Sequence, residues 1–355
     1  MRAYRALPCI SSIACALLVS AGAYAQNNQT VTIQVGPGDQ SAKYSPSSIG
    51  MRPRGLAGAP SPALSPKAFA SGPKSDPPNN IPGVPAPGFY PADLDDPDQG
   101  PVVTRAQAHP VYINSGPSDF GNPAAFLDDL AESSFIHVVD QYTGSNDDNR
   151  YTRGLSLKVN GYPITGHTLQ QNDLIAILHA AASVAGHGYG HIYHLFVPKG
   201  VDVCVPTSST DPTPECYSPD NAAAFVFCAF HDSVTFLHDP VDHVLFTVEP
   251  YQDVLGCSIA PGSVNGALID STDDTLSHET FETITDPDGT AWWVHTNVSL
   301  FGDEIGDLCS RFIVIGPNAY FSDPVVRVGD DLYNVQAEYS NGYHACAYQP
   351  TGGPH

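Results

Sequence analysis

Positive charge is scarce in this chain: 14 Lys and Arg stand against 37 Asp and Glu, a formal net charge of −23 at neutral pH. Phosphate binding depends on Lys and Arg displacing counterions, so this balance argues against a nucleic-acid partner. An acidic field suits solubility outside a cell, or attraction of cationic cell-surface material. Long apolar runs are also lacking, and no segment offers the ~18 consecutive apolar residues of a membrane-crossing helix. The cysteines show no CxxC spacing, which argues against a cysteine-held metal. No GxSxG elbow appears, and no glycine-rich loop of phosphate-binding type precedes a helix. Serine-hydrolase and nucleotide-dependent chemistry are thereby left without support.

What is present begins with Arg2 and Arg5, an apolar stretch from Ile10 to Val19, and the small-residue triplet Ala23-Tyr24-Ala25. This is the pattern of a signal peptide spanning residues 1–25, cut before Gln26, and it predicts a secreted protein, extracellular or periplasmic. Its removal takes away two arginines and no acids, leaving 12 basic against 37 acidic residues and a charge of −25. Cys9 and Cys15 would leave with it, and the six that remain are an even number in an exported chain, the condition for disulfides. Fifteen connectivities are open; proximity in sequence favours Cys204 with Cys216, Cys228 with Cys257, and Cys309 with Cys346.

Residues 26–104 are dominated by Pro, Gly, Ser, Ala and Asp, notably in Gly55 to Pro66 and Ser75 to Pro101. So little apolar surface does not offset ordering entropy, which predicts a disordered or extended Pro-rich linker or pro-segment. A short strand is expected only at Val31 to Val35. Composition changes near Arg105, and residues 105–355 suffice for one large domain with its own core. Strands are expected at Val111 to Ile113, Ile192 to Val197, Phe225 to Phe230 and Val244 to Val248. Helices are expected over Asn122 to Ser133 and Leu169 to Ala185. Their alternation predicts a single mixed α/β domain.

Asp270 to Asp286 carries the sharpest chemical pattern. Ser271 or Thr272 can cap a helix whose first turn holds Asp273 and Asp274, and Pro287 stops it. At about 100° per residue, His278 and Glu282 fall within about 40° of each other, away from Leu276, Phe281 and Ile284. An imidazole and a carboxylate four residues apart can reach one cation. Glu279, offset around the helix, can stand beside an activated water and take its proton, the division of labour of HExxH zinc peptidases. Here the pattern is HExxE, and two carboxylates with one histidine shift preference from zinc toward harder divalent ions. A third ligand must come from elsewhere, and Gly302 to Cys309 supplies the candidate, Glu304.

Together, His278-Glu279-Thr280-Phe281-Glu282 and Gly302-Asp303-Glu304-Ile305-Gly306-Asp307 resemble the zincin metallopeptidases, particularly the thermolysin-like group. That resemblance implies a helix-borne zinc site with His278, Glu282 and Glu304 as ligands and Asp307 orienting His278. It also implies a protein or peptide substrate. A second resemblance rests on the order Tyr112 to Tyr142, His191 to Cys204, Phe227 to His231, Ser277 to Pro287, and Glu304 to Cys309. It is to bacterial relatives of the plant phosphate-induced, EXORDIUM-like extracellular proteins, and it implies a cell-surface or cell-wall role without a specified reaction.

Other candidates are simpler. His231, after Phe227-Cys228-Ala229-Phe230, is a catalytic candidate because a histidine at a strand end can reach a cleft and stabilise an oxyanion. His191 and His194 sit three apart in an expected strand, hence on opposite faces, which argues against a shared metal. Trp292 and Trp293 read as core or turn-covering aromatics. Asp286 can serve as a ligand, although its place before Pro287 suits a turn better.

Overall fold

Runs of β-branched and aromatic residues become the rungs of one dominant sheet. The structure is a computed structural model describing residues 30–35, 44–46, 93–206, 214–297 and 300–351. The expected leader, residues 1–25, and much of the Pro-rich arm lie outside the described residues. In chain order the first half holds β1 (Thr30–Ile33), β2 (Tyr44–Pro46), β3 (Ala106–Ile113), α1 (Pro123–Glu132), α2 (Asp140–Thr143), β4 (Tyr151–Arg153), β5 (Ser156–Val159), β6 (Thr168–Gln170) and α3 (Gln171–Ala185). There follow β7 (His191–Phe196), β8 (Asp202–Pro206), β9 (Pro214–Tyr217), β10 (Phe230–Phe236), β11 (His243–Glu249) and α4 (Ala267–Thr285). Three hairpins complete the chain: β12 (Phe312–Ile315) with β13 (Asn318–Phe321), β14 (Val325–Val328) with β15 (Asp331–Asn334), and β16 (Glu338–Ser340) with β17 (Ala345–Ala347).

The architecture is mixed α/β, with an eight-stranded sheet in the order β1-β5-β3-β7-β11-β10-β2 and β4 beside the first half of β3. Strands β1, β5, β3, β7 and β11 run parallel, and β10 returns antiparallel to β11. Side-chain alternation divides the core in two. Val111, Tyr193, Leu195, Phe230, Val244 and Phe246 pack with α3 on one face. Tyr112, Ile192, Phe196 and Leu245 pack on the other with residues of α1 and α4, among them Phe126 and Leu276. His191 and His194 accordingly part company. The first meets His109 on the α3 face (Nδ1 to Nε2, 3.0 Å), and the second meets Thr247 beneath α4 (2.9 Å).

Three of the expected elements need revised bounds. The short strand at Val31 is present as β1, an edge strand parallel to β5 rather than an isolated piece. The expected strand at Phe225 to Phe230 instead begins at Phe230. Cys228 is tied to Cys257, and its carbonyl accepts from Gln252 Nε2 (2.9 Å), so this stretch is withdrawn from the ladder. Helix α4 starts earlier than its Ser/Thr cap signal, at Ala267 behind Gly266, and no side chain caps it. All three expected disulfides are present: Cys204–Cys216, Cys228–Cys257 and Cys309–Cys346. No helix among the described residues is long and apolar enough to cross a membrane.

Helix α4 is the unusual element. A helix this polar ordinarily lies on a surface, yet every residue from Asp270 to Thr285 is buried. It packs between β10 and β11 on one side and β15 on the other, with α1 and α2 alongside. Several of its polar groups are accommodated individually. Thr275, Thr280, Thr283 and Thr285 donate to carbonyls four residues back, at 2.6–3.0 Å, the usual solution for a hydroxyl inside a helix. Asp270 accepts from the amides of Asn265 (2.7 Å) and Asn334 (3.2 Å), and Asp274 from the amide of Gln336 (2.7 Å). The first half of α4 therefore completes the hydrogen bonding of the loops around it, and the second half presents His278, Glu279 and Glu282.

Candidate metal centre

The sheet supplies one side of the site. Strand pairing sets His231 of β10 beside Thr247 of β11, and Thr247 beside His194 of β7, so three polar side chains form a row beneath α4. His194 is fully buried and bonds Thr247, which donates to Glu249 at 2.7 Å. Burial, with a minor contribution from His109, lowers its pKa to about 3, so it is neutral. Because folding lowers this value, the stability linked to His194 is complete above the ordinary value of 6.5 and declines as pH falls from there toward 3. In His194→Gln the thermal midpoint should fall less steeply across that window than in the parent.

His231, two strands away, has the opposite electrostatics. Its Nδ1 lies 3.4 Å from Glu279 Oε2 and 3.4 Å from Glu282 Oε2, and its Nε2 lies 3.3 Å from Glu304 Oε2 and 3.2 Å from the Asp286 carbonyl. Burial works against its charge, but Glu304, Glu279 and Glu282 outweigh it and hold the pKa well above the ordinary histidine value. His278 is in the same situation. Its Nε2 is 3.0 Å from Glu282 Oε1 and 3.8 Å from Asp307 Oδ1, and the surrounding carboxylates, Glu282 first among them, overcome burial. Glu282, which burial alone would raise, is held at about 2, chiefly by His278 and then by His231. Glu279 and Asp307 are raised, burial being the main cause for each.

The last wall comes from residues 302–309, a loop closing in a 3-10 turn at Asp307–Cys309. Ile305 is fully buried and its carbonyl accepts from the Tyr339 amide (2.9 Å), while Gln336 Nε2 donates to the Gly306 carbonyl (3.0 Å). Asp307 is thereby set beside α4, its amide 3.3 Å from Glu282 Oε1. Gly306 is required for space: a Cβ there would stand 2.5 Å from His278 Nδ1. No family model matches the chain, and no curated protein or solved structure is significantly similar to it. The chemistry therefore rests on the geometry of these side chains.

Two groups of ligand atoms meet the spacing a cation requires. His231, Glu279 and Glu282 form one, and His278, Glu282 and Asp307 form the other, with the ligand atoms of each group within 4.8 Å of one another. A cation about 2.1 Å from its ligands separates neighbouring donors by about 3.4 Å in a tetrahedron and about 3.0 Å in an octahedron. The two 3.4 Å edges at His231 and the 3.0 Å edge at His278 fall on these values, and the His278–Asp307 edge is longer, at 3.8 Å. Neither His231 Nδ1 nor His278 Nε2 makes a well-directed hydrogen bond. Buried polar atoms ordinarily find such partners, so these two suit a ligand role.

All six residues singled out in the sequence converge, but in a different grouping from the one the zincin resemblance implied. Glu304 sits at the Nε2 end of His231, and Asp307, expected to orient His278, stands with His278 and Glu282. Glu279 and His231, expected as base and oxyanion donor, face each other. Asp286 forms the expected turn, its Oδ1 accepting from the amides of Thr290 (2.6 Å) and Ala291 (2.7 Å). Trp292 donates to the Tyr142 carbonyl (3.0 Å), as a packed aromatic with one polar tip. Sequence reasoning passed over Glu249 and Glu338, both fully buried and both electrostatically joined to the cluster. Alternation within the strand could have flagged Glu249, two residues beyond Thr247 on the same face.

Proposed function

We propose that this protein is exported and binds a divalent cation through helix α4, acting as a metal-dependent hydrolase, most specifically a zinc peptidase of zincin-like type. One observation carries the reading: His278 and Glu282, one turn apart, meet Asp307 from a separate segment, the ligand atoms of all three within 4.8 Å of one another. Asp307 is 25% exposed, whereas the histidine and Glu282 are fully buried, so the group has one edge toward solvent. A cation there would supply Lewis acidity to a carbonyl and to water. Glu279, on the same helix, is the carboxylate assigned to take the proton. Zinc fits the imidazole, and the two carboxylates also admit a harder ion. Three disulfides agree with an oxidising, extracytoplasmic setting.

The test has two parts. Elemental analysis of the purified chain should find stoichiometric divalent metal that falls in His278→Ala; metal-free, folded protein would end the proposal. Glu279→Gln should keep the cation held by His278, Glu282 and Asp307 while stopping hydrolysis of an unfolded protein substrate. Unchanged turnover would remove Glu279 as the proton acceptor.

Burial favours a second reading. His231, Glu279, Glu282 and Glu304 are at most 1% exposed, and a nearby cavity of about 510 Å³, at Asp273, Arg327 and Tyr333, is lined by none of the six site residues. In this reading the protein is a noncatalytic, EXORDIUM-like cell-surface protein whose buried ion holds its core together. Metal with no hydrolysis of any protein substrate would select it.

A further inference from the structure

Glu282 belongs to both ligand groups, one carboxylate oxygen to each. Its Oε1 faces His278 at 3.0 Å and the Asp307 amide at 3.3 Å, and its Oε2 faces His231 at 3.4 Å. The imidazoles approach different oxygens of this carboxylate, one carried by α4 and one by β10. Each is accompanied by a further acid that the other lacks: Asp307 beside His278, Glu279 beside His231. The two imidazoles fall in different groups of closely spaced ligand atoms, and Glu282 is the residue those groups share. A bridging carboxylate with one histidine and one acid at each end is the arrangement of a two-metal site.

Charge points the same way. Glu279, Glu282, Glu304 and Asp307 bring four carboxylates into a buried space with two imidazoles. A cluster this acidic, removed from water, favours bound cationic charge. The far nitrogen of His231 then donates to the Asp286 carbonyl (3.2 Å) with the Glu304 carboxylate 3.3 Å away, the kind of outer contact that fixes a metal-bound histidine.

We propose that the centre holds two divalent cations that share Glu282: an enclosed one held by His231, Glu279 and Glu282, and one nearer solvent held by His278, Glu282 and Asp307. This rests on the metal-binding reading above and adds its nuclearity. The enclosed ion is ligated through Glu279 Oε2, and the proton-accepting role of Glu279 falls to its other oxygen.

The experiment uses the purified full chain, stripped with a chelator and titrated with Mn²⁺ alone while electron paramagnetic resonance and bound metal are followed. Two equivalents are expected, with the isolated-ion six-line signal suppressed as the second binds, because ions bridged by one carboxylate are magnetically coupled. His231→Ala and Asp307→Asn should each reduce the stoichiometry from two to one and restore the isolated-ion signal. Two equivalents without coupling would overturn the shared carboxylate. One equivalent in the parent would overturn the two-metal centre and leave the single-ion proposal standing, and none would remove both. Should either variant fail to fold, the parent titration decides alone.

Discussion

Replacing Glu282 with alanine is expected to abolish cation binding and to destabilise the fold by about 3–5 kcal/mol, the cost of removing one partner from a buried charge cluster. No other residue takes part in both ligand groups, and its carboxylate is the one the two histidines hold at about 2. Its loss separates His278 from His231 and opens a buried space between them. Metal analysis and urea unfolding of the same preparation check the two parts of the expectation. Glu282→Gln, which preserves volume and one acceptor oxygen, should fall between the parent and Glu282→Ala in stability while still losing the shared position. A Glu282→Ala protein with undiminished metal and stability would show that the residue is a bystander.

The second large effect concerns the Cys309–Cys346 bond. Its 37-residue separation corresponds, in the chain-entropy account, to about 4 kcal/mol of stabilisation, within the usual range of about 2–5 kcal/mol. Cys309 closes the turn that begins at Asp307, and Cys346 lies in β17, so the bond anchors the segment that supplies one ligand. The Cys309→Ser/Cys346→Ser double variant should therefore lose stability and metal affinity together. Removing Cys204–Cys216, which joins neighbouring strands β8 and β9 in a separate three-stranded sheet, should cost stability while leaving affinity in place. Equal losses of affinity in both variants would mean that the site responds to global stability alone.

How far the sequence could be read depended on whether the governing interactions were local. The HExxE spacing put His278 and Glu282 on one face because four residues make about one turn. Ile192 to Val197 and Val244 to Val248 were visible as buried strands because both faces are covered and their composition is apolar apart from His194 and Thr247. Helix α4 misled for a complementary reason. Asp270 and Asp274 look like solvent-facing acids until the amides of Asn265, Asn334 and Gln336, up to 64 residues away, are seen to end on them. The partnership of His231 with Glu279 was likewise beyond reach, since it depends on where β10 pairs in the sheet. The register of Gly302 to Cys309 is set by the contacts of Ile305 and Gly306 with Tyr339 and Gln336, which leave Asp307 beside His278 and Glu304 at the Nε2 end of His231.

Strand β1 changes how the amino-terminal region should be treated in any recombinant form. Thr30 to Ile33 extend the parallel ladder by pairing with Ser156 to Val159. A version trimmed to start at Arg105 would leave the outer hydrogen-bonding side of β5 uncovered, offering it to the same side of another molecule. Clumping of shortened material would then report a missing neighbour, and would say nothing about whether the cation centre had formed.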